Sequence, residues 1–513
     1  MKKRGRPRRI GQRLAVILLL LFQLLFAVYA LVSGSLYSVS IRAALRMMSF
    51  AVAVFVIAGQ DKSAYKLTWT TLILLFPAFG GLFYLLYRLQ SAAVRMRRRL
   101  AAAKVRSQQY LTNTHSGNLQ ACSQFPAYCT LISYLERNAG YPIYGGCRAL
   151  YLSPGEKKLE KLLEELSKAE KYIFLEYFIV EPGQMWDSIF EILKNKARAG
   201  VDVRLIYDDF GCFFLLPKRF SKQMAEAGIR CCVFNPFLPV FSSLQNNRDH
   251  RKIVAIDGRV AFTGGINIAD EYINALEKHG HWKDAAVFVS GRAALSFAMM
   301  FLEMWSALTG TQENLADFCP AADEQSSECG LECGFVQPYA ASPLDGEYIA
   351  AGVYLRLLYA AHRYIYICTP YLILDEPMLG AMVAAAKGGV DIRILTPCIG
   401  DKWYVHMTTR SYYRELLAAG VRIYEYSRGF VHAKTFVSDD SVAAVGSANL
   451  DFRSLYLHFE SGACFYGGSV VNAVRDDFLH TISCSREMTV KDCRGSFGKR
   501  LIQDFLRVFA PLM

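Results

Sequence analysis

Two stretches of this chain follow one template: His250-x-Lys252, four residues, Asp257, six residues and Gly264 recur as His432-x-Lys434, Asp439 and Gly446 with the same internal spacing. A single copy of so short a pattern would read as a surface pair on a strand. Two copies separated by a domain's length imply a duplicated unit, and a site to which each half contributes. The segments Lys252-Ile-Val-Ala-Ile-Asp257 and Lys434-Thr-Phe-Val-Ser-Asp439 are apolar runs that end in an acid before a glycine-containing turn, the pattern of buried strands. Residues two apart on a strand share a face, so each copy presents an imidazole beside an ammonium. A cation next to histidine disfavours its protonation and attracts an anion, which suits an imidazole working on a phosphate. Asn267 and Asn449 stand at equal offsets behind the two histidines, after Gly265 and Ser447, and are expected to contact the substrate. Asp257 and Asp439 recur at one spacing and are expected to orient or charge-balance groups in the site.

The flanking sequence repeats as well. Leu159 to Ala169 has helical period, Tyr172 to Val180 reads as a strand, Trp186 to Ala199 as a helix and Val201 to Asp208 as a strand. Tyr348 to Ala361, Tyr364 to Thr369, Met378 to Lys387 and Val390 to Thr396 repeat that order. In both halves Gly-Val-Asp-hydrophobic-Arg introduces the second strand, at Gly200 and at Gly389. The alternation predicts two α/β units. Glu176, in an apolar strand, and Glu460, behind the second motif, are further substrate-binding candidates.

The amino end differs in character. The chain is 53% hydrophobic with a net charge of +13, and both the apolar excess and much of the charge gather before residue 107. Leu14 to Leu31 and Leu67 to Tyr87 are each long enough to cross a hydrocarbon core of about 30 Å, and Met47 to Ala58 is a shorter third candidate. No clear signal-peptide cleavage site follows the first run. Basic residues lie before it (Lys2, Lys3, Arg4, Arg6, Arg8, Arg9, Arg13) and after the last apolar run (Arg88, Arg95, Arg97, Arg98, Arg99, Lys104, Arg106). Both flanks belong in the cytoplasm by the positive-inside rule, so two spans, or two with a re-entrant middle segment, fit better than three. Because the basic runs abut apolar ones, anionic lipid is favoured over nucleic acid as the partner. The 14 cysteines are scattered rather than densely spaced, as for buried thiols in a reducing compartment. Cys319, Cys329 and Cys333 lack the spacing of a zinc site, and no metal or other cofactor is expected.

The doubled His-Lys-Asp pattern resembles the phospholipase D superfamily across most of residues 126 to 513. Within it, Leu175-Glu176-Tyr177-Phe178-Ile179, Trp282-Lys283-Asp284, Thr369-Pro370-Tyr371, Asn449-Leu-Asp-Phe-Arg-Ser454 and Arg507-Val-Phe-Ala-Pro-Leu-Met513 are similar to the bacterial cardiolipin synthases. His458 departs from that pattern, which more often has Asn. The resemblance implies a basic tail (1–13), a transmembrane region (14–90), a basic juxtamembrane linker (91–125), two phospholipase D-like α/β/α repeats (126–316 and 341–513) related by a pseudo-twofold axis, and a connector (317–340). It implies His250, Lys252, Asp257, His432, Lys434 and Asp439 as catalytic residues. One histidine forms a phosphohistidine, with His250 favoured, and the other moves protons. It further implies phosphatidylglycerol as substrate, cardiolipin as product and the inner membrane of a bacterial cell as location, with the catalytic domains in the cytoplasm. The alternatives are a phospholipase D-type phosphodiesterase, another phosphatidyltransferase such as phosphatidylserine synthase, a nuclease, and a non-enzymatic membrane scaffold.

Overall fold

A computed structural model describes residues 36–59, 62–76, 80, 81, 84, 85, 91–111, 116–236, 243–320, 334–493 and 495–512. The chain forms two compact units, one of Met1–Val94 with Pro236–Asn246 and one of Arg95–Asn235 with Asn247–Met513.

The first unit contains helices α1 (Leu36–Ala58) and α2 (Ser63–Leu75). They pack through Val52, Ala53 and Val56 against Trp69 and Ile73. Their outer faces are also apolar, with Phe50, Phe55, Leu67 and Leu74 exposed. Among the described residues no helix is long and apolar enough to cross a membrane. The run Leu14 to Leu31 lies outside the described residues; Met47 to Ala58 forms the end of α1, and the helix covering Leu67 onward ends at Leu75.

The second unit carries the duplication. In the first half α4 (Gly155–Ser167) and α5 (Gln184–Arg198) flank a seven-stranded sheet. Its strands are β1 (Arg148–Leu152), β2 (Tyr172–Tyr177), β3 (Asp202–Asp208), β4 (Arg230–Phe234), β5 (Lys252–Ile256), β6 (Val260–Gly264) and β7 (Ala286–Ser290). They lie in the order β1-β7-β6-β5-β2-β3-β4. β2, β3 and β4 are parallel; the others pair antiparallel. The apolar stripe Met185, Trp186, Ile189 and Leu193 of α5 seals one face.

The second half has β8 (Phe335–Ala341), β9 (Tyr364–Cys368), β10 (Asp391–Pro397), β11 (Arg422–Tyr426), β12 (Thr435–Ser438), β13 (Val442–Gly446) and β14 (His458–Tyr466). Their order, β8-β14-β13-β12-β9-β10-β11, is that of the first sheet with seven added to each label. Tyr144–Gly145 and β15 (Ser485–Glu487) extend its two edges. Two boundaries therefore differ from the sequence expectation. β8 lies in the stretch read as connector, and Tyr144–Gly145, read as part of the first repeat, pairs with the second sheet. Both follow from edge-strand pairing, which a sequence pattern does not reveal.

Between the sheets runs α6 (Arg292–Thr309), buried nearly all round, which packs on β5 and β6 and also on β8. The sheets meet where β6 faces β14, with Thr263 Oγ1 and Ser461 Oγ 3.0 Å apart. Of the cysteines in described residues, Cys122 and Cys129 form a disulfide, which the reading of most cysteines as buried thiols did not single out; ten others are free.

Candidate active site

His250 and His432 stand just ahead of β5 and β12, and each is held by the opposite half of the unit. The segments that lead into them pair in parallel with segments of the other repeat: Arg248–Asp249 with His458–Phe459, and Gly429–Val431 with His281–Lys283. His250 N–H then donates to Phe459 O at 2.9 Å and His432 N–H to Lys283 O at 2.7 Å. In both cases the next residue is an acid. The Glu460 carboxylate oxygens are each 3.0 Å from His250 Nδ1, and Asp284 Oδ2 is 2.7 Å from His432 Nδ1. A carboxylate at Nδ1 fixes the ring proton there and turns Nε2 outward as a lone pair. Neither half holds a complete site: each histidine is oriented by the other repeat's acid.

Asp284 entered the sequence reading only within the segment Trp282-Lys283-Asp284 and was not among the expected site residues. Its equivalence to Glu460 lies in sheet register rather than spacing. Ala286 pairs with Gly264 and Gly462 with Gly446, so both acids sit two residues before the partner of the motif glycine. Gly265 leaves room for Asp284, since a Cβ there would come within 2.2 Å of Asp284 Oδ1. Ser447, at the corresponding place in the second half, instead donates through Oγ to Glu460.

Lys252 and Lys434 are almost fully buried. Lys252 Nζ donates to His250 O at 2.6 Å, and Lys434 Nζ donates to His432 O. Lys434 Nζ also lies 2.9 Å from His432 Nδ1; once Asp284 has taken the Nδ1 proton as its hydrogen bond, this is a cation facing a donor rather than a second hydrogen bond. Burial pushes Lys252 down to about 7 and Lys434 to about 8. Burial and then the lysine ammoniums lower both histidines, His432 to about 4 and His250 well below its ordinary value. Burial pushes Glu460 up to about 7. The site therefore holds neutral imidazoles beside two buried lysines that face the carboxyl groups of Asp284 and Glu460, and the lysine ammoniums favour an incoming phosphodiester anion.

His458 stands beside His250. Its ring lies 5.6 Å from that of His250, its Nε2 accepts from Arg453 Nε at 3.2 Å, and its Nδ1 is 3.8 Å from Glu460. Among the described residues, His250, His458 and Glu460 are the one group with the composition of a metal site, with ligand atoms within 4.8 Å of one another. Lys252, Arg453 and Arg248 all face His458 electrostatically, which opposes a cation there.

Several expected residues are placed elsewhere. Asp257 caps the backbone N–H groups of Glu170, Lys171 and Tyr172 at 2.8, 2.8 and 2.7 Å, and Asp439 those of His362, Arg363 and Tyr364 at 2.7, 2.9 and 2.8 Å. Each lies five positions along the strand from its lysine, about 17 Å at ~3.3 Å per residue. Both adopt positive φ at a turn. Their shared spacing records the length of a strand rather than a catalytic role. Glu176 pairs across the sheet with Ile253 while Tyr177 pairs with Lys252, so its side chain points to the face opposite Lys252. There it lies 3.6 Å from Arg251, and burial raises its pKa well above the ordinary value. Asn267 is engaged internally, accepting from Ile179 N–H and donating to Tyr272 Oη. Asn449 donates to Asp451 at 3.1 Å but keeps a buried Oδ1 without a hydrogen-bond partner.

Comparison with known proteins agrees with the duplication. The family model "Cardiolipin synthase, PLD-like domain" matches residues 162–305 and 354–482, and "Phospholipase_D-nuclease N-terminal" matches 48–88. The chain is 32% identical over 514 residues to a cardiolipin synthase of Geobacillus thermodenitrificans, covering 98% of this chain and all of that one. A cardiolipin synthase of Alkalihalophilus pseudofirmus is likewise 32% identical, with 96% and 98% covered. An uncharacterised protein of Streptococcus mutans is 40% identical over 461 residues, 90% of this chain and 99% of its own. Among solved structures, the phosphatidylserine synthase of Haemophilus influenzae shares the fold at 14% identity with a TM-score of 0.55, over 74% of this chain and 98% of that one.

Proposed function

Since the chain belongs to the cardiolipin synthase family of phospholipase D-like proteins, we propose that it transfers the phosphatidyl group of one phosphatidylglycerol to a second, releasing glycerol. The crossed pairing of each imidazole with the other repeat's carboxylate supports this reading, because it provides two Nε2 atoms in one centre. His250 is the nucleophile and His432 the acid and base. A bound phosphodiester anion raises the basicity of both imidazoles, against the lowering by burial and the lysine ammoniums.

When the phosphodiester anion binds, His432 takes up a proton from solvent at Nε2; His250 Nε2 then attacks phosphorus as the P–O bond to glycerol breaks, and the His432 Nε2–H protonates the leaving oxygen. His432 then takes the hydroxyl proton of the second phosphatidylglycerol. The resulting oxygen attacks phosphorus, the P–N bond breaks and His250 is regenerated. Lys252 and Lys434 stabilise charge on the nonbridging oxygens, with Ser447 holding Glu460 in place. Asn449 Oδ1, an acceptor without a hydrogen-bond partner, is placed to take a hydrogen bond from a substrate hydroxyl.

The amino-terminal unit serves as the membrane anchor in this reading. α1 and α2 are apolar on the outside as well as in their contact, the composition of helices in lipid rather than water. Inner-membrane location with the catalytic unit in the cytoplasm follows from the basic flanks. Purified protein given phosphatidylglycerol alone is expected to yield cardiolipin and glycerol in equal amounts. Phosphatidic acid as the main product would replace the synthase by a hydrolase, and no turnover would favour the scaffold.

A further inference from the structure

The last helix, α12 (Phe497–Val508), is built the wrong way round for a helix in water. At about 100° per residue, Phe497, Leu501, Phe505 and Val508 fall on one arc, while Lys499, Arg500, Gln503, Asp504 and Arg507 fill the other. A helix on a soluble surface turns its apolar arc to the protein. α12 packs on α9 (Trp403–Ala418) through the polar arc: Gln503 Nε2 donates to Met407 O, and Arg507 pairs with Glu415 at 3.1 Å and lies over the Tyr412 ring. No residue of α12 is fully buried, and Phe497, Leu501 and Phe505 are 82, 59 and 60% exposed.

Its position in the fold points the same way. Lys434 precedes Thr435, which pairs with Cys368 at the carboxyl end of β9, so the catalytic groups lie at that end of the parallel strands. α9 starts six residues beyond the corresponding end of β10, and its first residue, Trp403, is 69% exposed. The contact order, Gln503 to Met407 and then Arg507 to Glu415, makes α12 run alongside α9 in the same direction, with Phe497 towards Trp403. In the first half the loop after β3, at the equivalent strand end, exposes Phe214 to 79%. The chain's end, Ala510–Leu512, packs on the short helix Phe452–Tyr456 that follows Asn449 and Asp451.

We propose that α12 is an interfacial helix that lies in the headgroup region of an anionic bilayer, with Trp403 and Phe214 on the same rim, and holds the mouth of the site against the lipid surface. The occupant is fixed by charge as well as apolar area. With Arg507 paired to Glu415, Lys499 and Arg500 against Asp504 still leave α12 net positive, and aromatic rings with basic neighbours are the composition of interfacial helices. This rests on the reading that the substrate is a membrane lipid.

The test uses the full chain with Phe497→Ser, Leu501→Ser and Phe505→Ser combined, all exposed positions. Its kcat/KM is compared with that of the parent on phosphatidylglycerol in vesicles and on short-chain phosphatidylglycerol below its critical micelle concentration. The expected result is a fall of about tenfold or more on vesicles with less than about a twofold change on the monomeric lipid. Equal losses on both, or no loss on vesicles, would overturn the proposal. A parent inactive on both lipids would instead refute the phosphatidylglycerol reading. Lys499→Gln with Arg500→Gln is expected to weaken the preference for anionic over phosphatidylcholine-rich vesicles, and an unchanged preference counts against an anionic surface. Sedimentation velocity in detergent covers self-association: a dimer made monomeric by the triple variant, with vesicle kinetics intact, would assign this face to a second copy and overturn the proposal.

Discussion

Asp284→Asn separates the crossed wiring of the site from any structural role of that acid. The substitution keeps the size of the side chain and the oxygen that accepts Ala285 N–H at 2.7 Å, and removes the charge 2.7 Å from His432 Nδ1. A hydrogen bond to a charged group contributes roughly 1.5–3 kcal/mol. At about 1.4 kcal/mol per decade, that is ~10- to 150-fold in rate if the bond strengthens as the imidazolium forms. The expected outcome is a fall in kcat of about 100-fold with phosphatidylglycerol vesicles, and little change in KM, because the acid does not touch the lipid. The Asp284 charge raises the His432 pKa, so its loss moves the limb of the kcat profile reporting His432 to lower pH. The thermal unfolding midpoint is expected to stay within a few degrees. Activity within about threefold of the parent, or loss of cooperative unfolding, would refute the assignment of Asp284 as the residue that positions His432.

Other outcomes follow from the same geometry. Asp257→Ala removes the acceptor of three backbone N–H groups and is expected to cost about 2–4 kcal/mol of stability by denaturant titration, while activity per folded molecule stays near that of the parent. Lys252→Met is expected to lower turnover by ~10²- to 10³-fold yet not to destabilise the protein at pH 7. The folded lysine titrates at about 7 and the unfolded one near 10.5, so between these values the unfolded chain binds more protons and parental stability rises with pH; the Met variant loses that slope. In the substrate-free enzyme kcat/KM is expected to fall as pH rises through about 7 to 8, where Lys252 and Lys434 lose the charge that attracts the phosphodiester. Activity is expected to survive excess EDTA, since lysines carry that charge; loss reversed by added divalent metal would contradict it.

The duplication and the strands around it were readable because each half encodes them locally. Gly200 and Gly389 open matching strands, and both histidine–lysine pairs recur at one spacing. Asp284 was hidden because equal register does not mean equal spacing. It stands 20 residues after Gly264 whereas Glu460 stands 14 after Gly446 (284 − 264 and 460 − 446). The 3-10 turn Asp270–Ile273 and strand His281–Lys283 fill one gap, and the helix Phe452–Tyr456 the other. Asp257 and Asp439 misled for the converse reason, since a strand length repeated in both halves also produces identical spacing. Glu176 was misplaced by one pleat: its neighbour Tyr177 shares the face of Lys252, and Glu176 does not. The inverted amphipathy of α12 was present in the sequence, but only its packing through Gln503 and Arg507 shows which arc is left outside.

The central claim is that the two repeats form one covalently acting centre in which His250 carries the phosphatidyl group. Acid- or denaturant-quenched samples from the first turnovers with phosphatidylglycerol, digested under conditions that preserve phosphoramidates, allow the adduct to be located by mass spectrometry. The account predicts a phosphatidyl group on the peptide containing His250 and none in Glu460→Gln protein sampled at the same early time. An adduct confined to the His432 peptide, or complete turnover with no adduct on either, would contradict it.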